Sequence, residues 1–356
     1  MSEPKQQERQ LAVKKSVKER LLTVTSSPHL RSPETTTGIM LDVIIALIPS
    51  LVAAVCIFGW RSLLVTCVTV GTCVLSEFIA RKVMRRDNTI SDLSAVVTGI
   101  LLAFNLPVTI PLWMAAIGSV VAIVVVKQFF GGIGCNFINP ALVGRIVLMM
   151  SFPTAMSSWA VPLAWRSGSI VTSATPMAQL STVIDSGVSM DSLNAAGLPS
   201  LMEMLLGVRG GSLGEVCALT LILGGLYLVI RRVITPLIPL CYIGTVAVIM
   251  IIAGGGNFTF VAYEILGGGL LLGAIFMATD YTTSPMTRKG KIIYAIGCGL
   301  VTSLIRLFGN MPEGVSFSII LMNILVPHIE KLTAPKPFGS KRKKRSLKAK
   351  EAAEDA

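Results

Sequence analysis

The residues with the plainest capacity for chemistry lie in one short polar run, Val171-Thr172-Ser173-Ala174-Thr175-Pro176. A threonine hydroxyl is a weak nucleophile, but an enzyme acting on it from outside can make it the acceptor of a phosphate-linked group. That reaction asks for an accessible hydroxyl with little bulk beside it. Ser173 and Ala174 are small, and Pro176 biases the chain before it towards an extended form. The run therefore predicts an exposed acceptor at Thr175. Strings of this kind are common in ordinary surface loops, so the prediction rests on the elements that place the run.

Those elements are membrane helices. Of the 356 residues, 53% are hydrophobic and 14% are charged, and mean hydropathy is +0.73. A soluble domain is about a quarter charged. Apolar segments of roughly 20 residues recur along the chain, the mark of an all-α polytopic membrane protein. A transmembrane barrel would show short alternating segments instead. The net charge of +12 is gathered at the two ends and in a few loops. That is the pattern of cytoplasmic Lys/Arg excess and of contact with membrane lipid, and nucleic-acid binding is the poorer account. The first 38 residues show no apolar core with a small-residue cleavage site, so no signal peptide is expected. The seven cysteines form no CxxC pair, and His29 and His328 stand apart. No disulfide framework and no metal site are expected.

The apolar segments predict about ten spans, at residues 39–59, 63–80, 94–106, 112–129, 141–152, 216–230, 234–253, 260–277, 292–308 and 317–329. The chain then divides into a basic N-terminal arm (1–38), with an amphipathic helix over 12–24, and a first five-helix membrane repeat (39–152). A long loop carrying the acceptor run (153–213), a second five-helix repeat (214–332) and a basic tail (333–356) follow. Ten spans place both termini in the cytoplasm with the clusters at Arg81–Arg86, Arg231–Arg232 and Arg288–Lys291. Arg61, Arg166 and Arg209 remain outside, and the Thr175 loop faces the periplasm or exterior. Five spans per half invert one half relative to the other.

Each half carries an interruption. The third span is short and is closed by Asn105 and Pro107; the eighth contains Gly267-Gly268-Gly269 and leads to Asp280. Interrupted spans mark a central cofactor or substrate site, although glycines also serve plain helix packing. Gly131 to Pro140 reads as a re-entrant stretch whose asparagines satisfy freed backbone groups. Asn139 and Asp280 close the broken segments and are candidates for contact with a cofactor or an ion path. Arg145 is expected to pair inside the bundle or face water, Glu264 to sit in a cavity or near the outer headgroups, and Glu215 to cap the sixth span.

Four separated stretches carry a family resemblance: SPHLRSPETTTGIMLDVIIALIP, GGIGCNFINPALVGR, GGSLGEVCALTLILGGLYL and FMATDYTTSPMTRKGKIIYAIGCGL. Together they resemble the RnfD component of the Rnf electron-transport complex, which is homologous to the NqrB component of the Na⁺-pumping NADH:quinone reductase. The resemblance implies a urea-transporter-like fold of two inverted five-helix halves in a bacterial or archaeal cell membrane. It implies a component, not catalytic alone, of a complex that moves electrons between ferredoxin and NAD⁺ and couples this to Na⁺ or H⁺ movement. It also implies FMN bound covalently as a phosphoester of Thr175, within the pattern Thr172-Ser173-Ala174-Thr175 and followed by Pro176. A flavin transferase working on FAD would attach it, the other Rnf subunits would be partners, and a noncovalent riboflavin is a second flavin associated with relatives. One position departs from the pattern: Ser169 stands where an acidic residue is often found, and no Asp or Glu lies between Met156 and Ile184. Three other readings of the same scaffold are a small-solute transporter or channel, the B subunit of a Na⁺-translocating NADH:quinone reductase, and an anchor for soluble redox subunits.

Overall fold

Helices follow the apolar runs. The structure, a computed structural model, describes residues 34–167, 172–173, 175–185, 198–309 and 314–335. The helix expected over 12–24, Ser169, Ala174 and the basic tail from 336 lie outside the described residues. Contacts group the chain into two units, Met1–Thr35 and Thr36–Ala356, and all the helices named below lie in the second. In the first half these are α1 (Thr36–Phe58), α2 (Trp60–Val83), α3 (Ser94–Phe104), α4 (Leu112–Gln128) and α5 (Pro140–Ser151). Next come α6 (Pro176–Asp185) and α7 (Leu201–Leu206), the second opened by a Ser200/Glu203 capping box. The second half holds α8 (Ala218–Ile230), α9 (Leu237–Ala253), α10 (Phe258–Leu266), α11 (Leu270–Met277), α12 (Arg288–Phe308) and α13 (Val315–Thr333).

Four of these, α1, α2, α12 and α13, are long and apolar enough to cross a bilayer alone. The pair α10–α11 passes the same test as one span bent by 62°. Helices α3, α4, α5, α8 and α9 are apolar but shorter. The chain is an integral membrane protein. At 11 residues α3 rises about 16 Å, roughly half a hydrocarbon core. Its interruption is the one the sequence predicts, at Asn105. The reversal between α1 and α2 falls on Gly59, at φ +80°, one residue before the expected Trp60–Arg61. Arg61 instead begins α2 and donates to the carbonyls of Val108 (2.9 Å) and Thr109 (3.1 Å).

The two halves share a pairing scheme. In the first, α2 packs on α3 and α4, α4 on α5, and α3 against both α5 and α1. In the second, α9 packs on α10 and α12, α12 on α13, and α11 against both α13 and α8. The halves meet where α1 crosses α8 and where α5 meets α13, each helix against the one in the same place of the other half. Gly224 makes the first crossing close, because a Cβ there would run into the Ala46 carbonyl. The fold is not purely helical. Within the long loop, β1 (Trp159–Ala160) and β2 (Thr172–Ser173) form a two-stranded antiparallel ladder, with Trp159 opposite Ser173 and Ala160 opposite Thr172.

Candidate functional site

Thr175 is the residue just before α6. Its Oγ1 accepts from the Ala178 N–H at 3.2 Å and its carbonyl from the Gln179 N–H at 3.0 Å. It is therefore an N-cap, with Pro176 at the first helical position. The expectation of an exposed hydroxyl is corrected: Thr175 is 3% accessible. Capping is one reason. The other is that Met177 and Leu180, one turn apart, are buried in the main core and hold the helix start inward.

Met177 lies against the break between α10 and α11. Gly267 is extended (φ −90°, ψ 166°), and Gly268 and Gly269 take left-handed φ of +63° and +67°. A Cβ on Gly267 would stand 2.7 Å from Met177 Sδ, and one on Gly268 would stand 2.6 Å from Arg306 Nη2. The glycines thus make the break and also admit what packs on it. Breaking a helix frees carbonyls, which must find donors inside a membrane. Two buried guanidinium groups supply them. Arg306 Nη1 donates to the Glu264 carbonyl (2.6 Å) and carboxylate (2.9 Å), and its Nη2 to Gly267 O (3.2 Å) and Gly268 O (3.3 Å). Arg209 Nη2 donates to Leu266 O and Glu215 O, both at 2.7 Å. Glu264 is therefore buried in an ion pair with Arg306. Glu215 does not cap α8, whose N-cap is Cys217; its buried carboxylate accepts from Ser212 Oγ at 2.7 Å.

Asn139 and Asp280 come together, but not with Thr175. Both line a cavity of about 390 Å³ bounded by the starts of α1, α3 and α5 and by the chain leaving α8 and α11. Thr175 follows the opposite end of α5. Asn139 caps α5, accepting from Ala141 N–H at 3.1 Å, and donates to Met277 O at 3.3 Å, so it ties the two halves. Asp280 accepts from the hydroxyls of Thr282 (2.9 Å) and Thr283 (3.1 Å), and its burial pushes the carboxyl above the usual carboxylate range. Lys127 lines the same cavity. Its Nζ donates to Glu77 Oε2 (2.9 Å) and Ser94 Oγ (2.7 Å), while Gln128 (2.9 Å) and Thr89 (3.0 Å) donate to Glu77 Oε1. Arg145 pairs inside the bundle, donating to Asn105 Oδ1 at 2.7 Å.

Sequence reasoning gave neither Glu77 nor Lys127 a place in a site. Both pairs link residues far apart in the chain, 50 for Lys127–Glu77 and 42 for Arg306–Glu264. The available signal was a charge inside each apolar run: Glu77 in LSEFIA, Lys127 after AIVVV, and Glu264 in VAYEIL.

Residues 23–339 match the NQR2, RnfD, RnfE family. The chain belongs to this family. It is 44% identical over 331 residues to the D subunit of the Na⁺-translocating ferredoxin:NAD⁺ oxidoreductase complex of Acetobacterium woodii, covering 92% of this chain and 98% of that protein. It is 43% identical over 330 residues to the D subunit of the proton-translocating ferredoxin:NAD⁺ oxidoreductase complex of Clostridium ljungdahlii, with the same coverage. The D subunit of the ion-translocating oxidoreductase complex of Stutzerimonas stutzeri is 38% identical over 332 residues, 85% of this chain and 91% of that protein. Family membership covers both halves, the broken span and the loop between them.

Proposed function

We propose that this chain is the D subunit of an ion-translocating ferredoxin:NAD⁺ oxidoreductase complex, and that it carries FMN as a phosphoester of Thr175. The observation that carries the assignment is likeness along almost the whole length of relatives with that name. The two are named for different ions at nearly equal identity, so coupling to Na⁺ or to H⁺ is not read from overall likeness. The matching helix pairings support two inverted five-helix halves, with the basic ends cytoplasmic and the Thr175 loop exterior.

The Thr175 position fits a phosphodiester. A phosphate on Oγ1 would lie at the N-terminus of the ten-residue α6, where the N–H groups of Met177 and Ala178 and the helix dipole favour an anion. In the attachment step the Thr175 oxygen bonds to the FMN-side phosphorus of FAD, the pyrophosphate bond breaks, AMP leaves, and the hydroxyl proton passes to a base of the transferase. The attached flavin supplies one- and two-electron redox chemistry. The protein's part is to hold the phosphate, fix the helix that bears it and keep the flavin from loss to the outer compartment. The cavity around Asn139 and Asp280 is within the size range of small-molecule sites and is where a noncovalent riboflavin would bind.

The test is peptide mass and in-gel flavin fluorescence of protein purified from its native membrane. An FMN increment on the Thr175 peptide, absent in Thr175→Ala along with ferredoxin:NAD⁺ activity of the complex, is the expected result. Full activity in Thr175→Ala overturns the flavin reading and leaves the anchor role. Solute uptake by the purified chain alone would favour the transporter reading.

A further inference from the structure

We propose that the broken-helix shelf of Gly267 and Gly268, held by Arg306, is a seat for the flavin-bearing helix α6. The flavin is attached while that helix is off the seat, and the seat then fixes the flavin's position and redox properties. The inference rests on the covalent-flavin reading of Thr175.

Three observations meet here. First, Thr175 is buried and its hydroxyl is engaged as a cap, so a transferase cannot reach it in this arrangement. An acceptor that must react has to be presented in another. Second, the start of α6 meets the break itself through one side chain, Met177, while Leu180 is buried one turn on. Met177 sits on two glycines, where any Cβ would collide with its Sδ or press on its Cγ. Third, the shelf itself is rigid. Its carbonyls at Glu264, Gly267 and Gly268 are bound by a single Arg306 side chain, which Glu264 in turn holds at 2.9 Å. Arg209 fixes the intervening Leu266 carbonyl. A planar guanidinium with five fixed donors can bridge several acceptors in one geometry; an ammonium cannot. The arrangement is therefore a helix start resting on a seat that hydrogen bonds hold in place. Arg306 is a positioning residue, acting on the flavin through Met177 and α6.

The two parts predict opposite outcomes for attachment and for function. In the complete complex from native membranes, Met177→Ala should keep FMN on the Thr175 peptide within about twofold of wild type, because attachment needs no seat. The semiquinone signal and midpoint potential of that flavin should shift, and ferredoxin-dependent NAD⁺ reduction should fall by about tenfold, as expected when a reacting group is misplaced. The paired change Glu264→Gln/Arg306→Gln removes the bracket without leaving one buried charge alone, and should behave the same way. Arg306→Lys should not restore the wild-type signal. Unchanged potential and activity in folded complexes that carry FMN would overturn the seat. Loss of FMN from folded Met177→Ala protein would overturn attachment off the seat. Wild-type protein without FMN on Thr175 would instead overturn the underlying flavin reading.

Discussion

Among the described residues the bundle holds two buried ion pairs, and they occupy related places. Lys127 stands at the end of α4 and Arg306 near the end of α12, helices with the same packing partners in their halves. Each meets a glutamate at 2.9 Å, and each reaches the interrupted segment of its own half. Their partners differ. Lys127 donates to side chains, the Glu77 carboxylate and the Ser94 hydroxyl, at the start of an intact short helix. Arg306 donates mostly to backbone carbonyls that a kink has freed. A point charge suffices for the first task, whereas the second needs a planar fork. Halves with matching helix pairings can thus share an architecture while each end adopts chemistry suited to what it holds: a cavity at one, a bent span beside Met177 at the other.

The sharpest way to break this comparison is to remove one charge from each pair. Arg306→Met and Lys127→Met each strand a buried carboxylate and should each cost about 3–5 kcal/mol, read from unfolding in detergent. Glu77→Gln/Lys127→Met should recover most of the loss at its end. Glu264→Gln/Arg306→Met should recover less, because the freed carbonyls still lack donors. Equal recovery at both ends would mean that Arg306 serves only its glutamate and that the carbonyl contacts add nothing.

How far the sequence discloses these sites depends on the kind of signal each leaves. Apolar runs, the short third span at Asn105 and the glycine triplet are local, so the helices and both interruptions are legible from composition and spacing. Asn139 as a cap is legible for the same reason, sitting directly before Pro140. Pairs such as Glu77–Lys127 and Glu264–Arg306 are not, because nothing local says which buried charge meets which. The burial of Thr175 was illegible for a subtler reason. Small hydroxylated residues followed by proline describe an exposed loop and a helix N-cap equally well, and only Met177 meeting Gly267 decides between them.

Glycine substitutions compare the two ends at lower cost. Gly134, in the turn before α5 that lines the cavity, and Gly268 both hold left-handed φ, at +88° and +63°. Open space surrounds a Cβ at Gly134, while one at Gly268 meets Arg306 Nη2. Gly134→Ala should therefore lose only the backbone term, about 1 kcal/mol. Gly268→Ala should lose about 2–3 kcal/mol, since Arg306 must move off its carbonyls as well. Similar losses at both sites would show that Arg306 has slack and that the seat is softer than its hydrogen bonds imply.

The smallest effect belongs to Asp280, the carboxylate at the cavity end held by hydroxyls instead of a cation. Its partners favour the ionised form, but desolvation outweighs them and raises its pKa above the ordinary value. The sign follows from linkage. When the folded pKa is the higher one, the folded state holds the proton more tightly, so the stabilisation is full below the ordinary carboxylate value of about 3.9. It is lost as pH rises through the raised folded value and stays flat beyond it. Asp280→Asn cannot titrate, so its unfolding midpoint, followed against pH in detergent, should lack that decline. The gap between variant and wild type should change only within this window. Glu264→Gln and Glu77→Gln, which each strand a buried cation, should instead lower stability at neutral pH. Parallel curves for wild type and Asp280→Asn across the window would mean that Asp280 is hydrated through the cavity, and that this end of the bundle is open to water in a way the Arg306 end is not.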